Sequence, residues 1–262
     1  MPIINRPGAV LNYELSGGIT DKLVTLVNGH TRSSSDFRMM SRVLLEAGIS
    51  SILIDNRGSG KTETSATFSI DDMCADVIAI WDDLGVKKSS LLGISMGGFI
   101  SQGVAIYWPD RVQNLILVST ASEDKYINPT GGSWIIEGND LEQKMLSYFA
   151  PGFVDRNPLM FKNMMTQIRQ AIASGVFTQR SEMQKNALKG AEWTSKLKNI
   201  AARTLIIHGS KDLVIDVCAA EILLQNIPNS KISVIEGAGH LLLAEAPKTL
   251  YQQAVEFLLS PS

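Results

Sequence analysis

The sequence predicts an α/β protein, with a mostly parallel central sheet covered by helices on both faces, and three observations carry that expectation. Short apolar runs at 23–27, 51–54, 89–94, 115–119, 204–208 and 232–235 suit strands buried on both faces. Between them, residues 37–47 and 70–84 place apolar side chains at helical spacing. Gly93-Ile94-Ser95-Met96-Gly97 then joins an apolar run to a helix-like stretch, so it reads as strand, sharp turn and helix. Strands alternating with helices imply βα crossovers and a sheet covered on both sides.

Taken in order, residues 9–15 alternate apolar and polar side chains, the pattern of a half-exposed strand, and Ser16-Gly17-Gly18 closes it. The helix expected over 37–47 has Phe37, Met40, Val43, Leu44 and Ala47 on one stripe, and that over 70–84 has Met73, Val77, Ile80 and Leu84. Asp71-Asp72 at the start of the second helix suits the positive end of its dipole better than a metal site. A helix is expected over 98–107, and a last covering helix over 247–259. The alternation breaks over 121–196, where three helices are expected at 141–149, 157–174 and 181–191. This stretch reads as a helical lid inserted in a core made of residues 1–120 and 197–262. Five of the ten methionines fall in it: Met145, Met160, Met164, Met165 and Met183. Methionine fills irregular apolar space without imposing a fixed shape, so Met145, Met160, Met164 and Met165, with Trp134, are candidate pocket residues, and packing of the lid onto the body is the plainer alternative.

Chemistry centres on Ser95. On a strained strand-to-helix turn its hydroxyl is pushed out of the chain over a helix N-terminus, and side chains at positions 93 and 97 would collide with the neighbouring strand and helix. With this motif the chain resembles the α/β-hydrolase superfamily from about residue 11 to residue 259, and within it small cofactor-independent carboxylesterases and enol-lactonases. The resemblance implies an acid after a late strand, where Ala202-Arg203-Thr204-Leu205-Ile206-Ile207-His208-Gly209-Ser210-Lys211-Asp212 supplies Asp212. It implies a histidine near the C-terminus, where Glu236-Gly237-Ala238-Gly239-His240, followed by Glu245-Ala246-Pro247, supplies His240. It implies two backbone oxyanion donors, placed at Met96 and, in the loop Asn28-Gly29-His30-Thr31, at His30. The family's His-Gly pair is here Asn28-Gly29, so the hydrogen bonding at that strand end is expected to differ. Asp216, Glu123 and Asp124 compete with Asp212 for the role of acid, and His208, ending an apolar run, reads as a core histidine.

The expected activity is hydrolysis of carboxylic esters of small to medium acyl groups through an acyl-enzyme. Lactonase and cofactor-free perhydrolase activities use the same triad, an amide hydrolase would need an amine anchor such as Glu137, Asp140 or Glu142, and a ligand receptor on this fold is the alternative of another class. Dehalogenation is disfavoured, since that branch attacks with a carboxylate where this chain has Ser95. Asp55-Asn56-Arg57-Gly58-Ser59-Gly60-Lys61-Thr62 ends like a nucleotide-binding loop, but the glycine needed five places before Gly60 is Asp55. The stretch is similar instead to a structural turn of the superfamily, with Arg57 expected to pair with an acid or a strand end.

Composition agrees. The chain has 262 residues, 45% of them hydrophobic, and a formal net charge of -2, which gives no electrostatic footprint for nucleic acid or an anionic membrane. Runs of about 18 apolar residues are absent, and Met1-Pro2-Ile3-Ile4-Asn5 lacks the form of a secretory signal. A cytoplasmic protein acting on a small molecule, without metal or other cofactor, is expected. Cys74 and Cys218 have no paired spacing and read as small hydrophobes.

Overall fold

The computed structural model describes residues 3–128 and 141–261. Among them the strands are β1 (Ile3–Arg6), β2 (Ala9–Ser16), β3 (Leu23–Val27), β4 (Ser50–Ile54), β5 (Glu63–Thr64), β6 (Ser89–Ile94), β7 (Val112–Val118), β8 (Arg203–Gly209) and β9 (Ser230–Ile235). The α-helices are α1 (Arg38–Glu46), α2 (Ile70–Asp83), α3 (Met96–Tyr107), α4 (Leu141–Leu146), α5 (Phe153–Arg156), α6 (Pro158–Ala173), α7 (Val176–Leu188), α8 (Cys218–Asn226), α9 (Leu242–Glu245) and α10 (Pro247–Leu259). The sheet runs β1-β2-β4-β3-β6-β7-β8-β9, with β5 paired to β2. From β4 through β9 the pairs along that order are parallel, while β2 joins β4, β1 and β5 antiparallel.

Each face of the sheet buries its own layer. Leu26, Leu53, Leu92 and Ile116 point to the face packed with Phe37, Met40 and Leu44 of the α1 region and Leu250, Ala254 and Phe257 of α10. Alternate residues, among them Val27, Leu91 and Leu115, meet Val77 and Trp81 of α2, Phe99 and Val104 of α3 and Leu223 of α8. The period of two along the strands is what divides the side chains between these layers. Trp81 is fully buried and its indole N–H donates to Thr25 Oγ1 at 2.8 Å, so its bulk enters the core without an unmet donor. The first turn of α2 is fastened by a capping box between Ser69 and Asp72, which fits the acidic start read from the sequence.

The predicted elements recur with shifted ends, and some were not foreseen. β1 is a hairpin partner of β2 turned at Gly8, whose φ is 71°, and its four residues alternate exposed and half-buried, too short a pattern to stand out. Four helices, not three, follow one another between α4 and α7, and α7 starts at Val176 because Gly175, at φ 72°, turns the chain into it. α8 has no counterpart among the elements expected from the sequence; Asp216 Oδ1 accepts from Cys218 N–H at 2.8 Å at its start. The strand order reverses at β3, which has β4 on one side and β6 on the other. The loops after β3 and β6 therefore diverge at the carboxyl edge of the sheet, where open α/β sheets form their crevice.

Candidate active site

Ser95 follows β6 directly and stands at φ 53° and ψ −119°, a strained conformation for a residue with a side chain. Its N–H donates to Val118 O at 2.9 Å, while its carbonyl accepts from Gly98 N–H and from Thr120 Oγ1, both at 2.8 Å. The turn closes only because its neighbours lack side chains. A Cβ on Gly93 would overlap Gly97 O and Ser101 Oγ, one on Gly97 would overlap Val27 O, and one on Gly98 would overlap the Thr120 side chain. Met96 N–H is the first of α3, and such N–H groups have no partner within their own helix.

His240 and Asp212 come to Ser95 from the loops that follow β9 and β8 at the same edge of the sheet. His240 Nε2 lies 3.1 Å from Ser95 Oγ, and its Nδ1 lies 2.8 Å from Asp212 Oδ2. An ionised carboxylate can only accept, so Nδ1 carries the proton and Nε2 is left to accept from the hydroxyl. Asp212 Oδ1 accepts from Val214 and Ile215 N–H, both at 2.9 Å, which fixes the carboxylate plane. Both side chains are buried, with Asp212 at 5% and His240 at 3% exposure. Burial alone would raise the Asp212 carboxyl, but the imidazoles of His240 and His208 outweigh it and hold it well below the usual carboxylate range. The His240 loop is also gripped from the helical segment after β7: His240 N–H and Leu241 N–H donate to Tyr148 O at 3.0 and 3.3 Å, and Glu245 Oε2 accepts from Ala150 and Gly239 N–H.

The third part, the loop after β3, lies against the nucleophile. A Cβ on Gly29 would sit 3.3 Å from Ser95 Cβ. Asn28, where the superfamily's His stands, turns its amide onto the loop: Oδ1 accepts from Gly29 N–H at 2.8 Å and Nδ2 donates to Ser33 O at 2.8 Å and Asp36 Oδ2 at 3.0 Å. The different hydrogen bonding expected at this strand end is thus a local clamp. The His30 ring donates from Nε2 to Ser181 O at 3.0 Å, and burial pushes its pKa down to about 4, so it is neutral at pH 7.

A family model described as serine aminopeptidase, S33 matches residues 18–247. The chain belongs to this family of hydrolases. A 3-oxoadipate enol-lactonase 2 of Acinetobacter baylyi is 28% identical over 218 residues, which cover 79% of this chain and 78% of that protein. A 2-hydroxy-6-oxononadienedioate/2-hydroxy-6-oxononatrienedioate hydrolase of Escherichia coli is 27% identical over 261 residues, covering 93% and 89%. In fold, the chain matches an alpha/beta hydrolase enzyme from a Medee basin deep-sea metagenome library with a TM-score of 0.91, covering 100% and 98% of the two chains at 16% identity. The α/β-hydrolase fold implied by the motifs is therefore the fold of this chain.

Over the Ser95 turn this hydrolase has a cavity of about 730 Å³ lined by Ser95, His240, Gly29 and His30 from the core. Met145, Met160 and Met164 line it from the segment after β7. Met165 does not: it is 2% exposed and packs among Leu141, Phe149, Phe161 and Ile168. Neighbours in a helix point about 100° apart, so Met164 facing the cavity sends Met165 into the helical core. Trp134, with Glu137 and Asp140, lies outside the described residues. Glu142 is ion-paired with Arg169 at 3.1 Å on the surface. Of the competing acids, Asp216 starts α8, Glu123 pairs with Lys125 and Thr194, and Asp124 accepts from Gly190 N–H. His208 is fully buried, with Nε2 donating to Ile215 O at 2.8 Å and 3.3 Å from Asp212 Oδ2.

The nucleotide-like stretch is a structural turn. Asp55 accepts from Ser34 N–H, Lys61 N–H and Asn12 Nδ2, and a Cβ on Gly60 would overlap its carboxylate, so the space a phosphate would need is filled by an anion. Arg57 makes a bidentate pair with Asp76 at 2.6 and 2.9 Å, which raises the guanidinium pKa further. Two residues the sequence gave no reason to single out also stand at the site. Tyr148 lines the cavity, meets the His240 ring edge-on at 5.6 Å between centroids, and has a phenol pushed up to about 12 by burial and then by the Asp212 charge. Gln184 of α7 reaches the loop after β3. Among the described residues no helix is long and apolar enough to cross a membrane.

Proposed function

We propose that the protein is a serine hydrolase that cleaves carboxylic esters of small to medium acyl groups through an acyl-enzyme. The observation that carries this reading is the unbroken line of hydrogen bonds from Asp212 through His240 to Ser95 Oγ at the wall of a cavity. Ser95 Oγ attacks the acyl carbon while its proton passes to His240 Nε2, and Asp212 holds the ring in the required tautomer and stabilises the imidazolium. Negative charge on the tetrahedral oxygen is met by Met96 N–H at the start of α3 and by His30 N–H. Collapse expels the alcohol, which takes the proton from His240; water then attacks the acyl-enzyme as its proton passes to His240, and the second collapse releases the acid and returns that proton to Ser95 Oγ. Residues 121–196 serve as the lid over a core of residues 1–120 and 197–262, and Met145, Met160 and Met164 give that lid an adaptable apolar surface. A cavity of about 730 Å³ is ample for a medium acyl chain.

Lactone hydrolysis is the second reading, favoured by the enol-lactonase among the relatives and by identical demands on the triad. The deciding experiment is turnover by purified protein of p-nitrophenyl esters of increasing acyl length, beside lactones and aminoacyl amides. Ester turnover that Ser95→Ala abolishes, with little change in melting temperature, is the expected result. Full activity of Ser95→Ala would reject the nucleophile, preference for lactones would select the second reading, and no turnover of any substrate would favour a receptor on this fold.

A further inference from the structure

Two successive residues of the loop that overlies Ser95 are held by one face of α7, and we propose that Gln184 is the positioning residue that keeps this loop in its working conformation. The inference rests on the serine-hydrolase reading, because it gives a task to the peptide between Gly29 and His30. Gln184 is 0% exposed, and each polar end of its amide is engaged. Oε1 accepts from Thr31 N–H at 2.6 Å, while Nε2 donates to Arg57 O at 2.6 Å and to Ser59 Oγ at 2.8 Å. Three residues earlier on the same helix face, Ser181 O accepts from the His30 ring.

The loop needs such a hold. Arg32 N–H donates to Gly29 O at 3.2 Å and closes a four-residue turn, in which Thr31 occupies the third place at φ 60°. That place is ordinarily filled by Gly or Asn, and a β-branched side chain there is strained. The Gly29 carbonyl and the His30 N–H belong to one trans peptide, so holding the carbonyl toward Arg32 aims the N–H the opposite way. Relaxation of Thr31 to negative φ would reshape the turn, and Gly29, packed on Ser95, would move with it. The bond from Thr31 N–H to Gln184 opposes that relaxation. Core and lid are thus joined where the second oxyanion donor is set, and the lid contributes to the chemistry without touching the substrate at this point.

The test begins with Ser95-dependent ester turnover by the wild-type protein; its absence would overturn the hydrolase reading and this inference with it. Gln184→Met then keeps the volume and removes the hydrogen bonds. The expected result is a kcat lower by about 10–100-fold, a share of what deleting an oxyanion donor outright costs, with KM nearly unchanged. Affinity for a boronic acid that forms a tetrahedral adduct on Ser95 should fall by the same factor, while affinity for the product carboxylate stays. Ser59→Ala, which breaks one Gln184 bond and leaves Thr31 held, should keep wild-type kcat. Thr31→Gly adopts positive φ without strain, so adding it to Gln184→Met should restore most of the lost kcat. If Gln184→Met does not fold, Gln184→Asn, whose shorter side chain withdraws the acceptor from Thr31, is measured against the same criteria. A variant of lowered melting temperature with wild-type kcat and wild-type boronate affinity would overturn the proposal.

Discussion

At Asp212 the cost of burying a charge is set against three hydrogen-bond donors and the nearby imidazole of His208. His240 and His208 approach Oδ2, Val214 and Ile215 N–H occupy Oδ1, and together they keep the carboxylate ionised at a site that burial would otherwise neutralise. The same arrangement makes the residue's part in the proposed reaction separable from its part in the fold. Asp212→Asn keeps the size and can keep an oxygen toward Val214 and Ile215, but it presents an amide N–H to His240 Nδ1. The ring must then place its proton on Nε2 and can no longer accept from Ser95. Ester turnover should fall by up to about four orders of magnitude with little loss of melting temperature. A fall of less than about tenfold would assign the orientation of His240 to another group.

At the level of elements, the proposed catalytic turn is enforced by what surrounds it. β3 and α3 meet so closely at Gly97 that a Cβ there would overlap Val27 O, and neither backbone can yield without disturbing β3–β6 pairing. Gly97→Ala should therefore destabilise by about 1–3 kcal/mol, as overpacking does, and should lower kcat more than KM rises, because the displaced element carries both Ser95 and Met96. Unaltered kcat at lowered stability would separate the helix position from catalysis. This contact also explains what could be read from the sequence. Gly93, Ser95 and Gly97 are close in the chain, so their constraint is written locally, and with three histidines in all the choice of His240 was narrow. Asp212 is reached through the resemblance of its segment to a family pattern, which favours it over Asp216 four residues on. Gln184 and Tyr148 left no comparable signal. Most of their hydrogen-bond partners, Thr31 N–H, Arg57 O and the N–H groups of His240 and Leu241, are backbone groups that carry no residue identity and lie far away in sequence. Met164 and Met165 could not be told apart for a simpler reason: periodicity marks a helix, and only its packing fixes which side faces the cavity.

Across the whole molecule, two of the contacts that the described residues of the proposed lid make with the core are feet on the loops around Ser95. One is the Tyr148–Ala150 stretch on the His240 loop, the other the Ser181–Gln184 face of α7 on the loop after β3. The second foot contains a titratable group, so joining lid to core makes stability depend on pH. The His30 ring is held neutral between them, with a pKa of about 4 owing to burial and, more weakly, to Lys185, against about 6.5 in an unfolded chain. Between those values the unfolded chain binds the extra proton, so stability is full above about pH 6.5 and is lost as pH falls toward 4. Asp212, whose pKa is depressed, acts in a different window: its contribution is present above about pH 3.9 and is lost only as pH falls below it. His30→Gln separates the two, since a glutamine amide can still donate to Ser181 O but takes up no proton. Urea unfolding of the wild type should show its midpoint falling between pH 6.5 and about 4.5, and His30→Gln should flatten that limb while leaving the decline at lower pH. Equal slopes for the two proteins between pH 6.5 and 4.5 would mean that the joint between α7 and the loop after β3 does not govern acid stability.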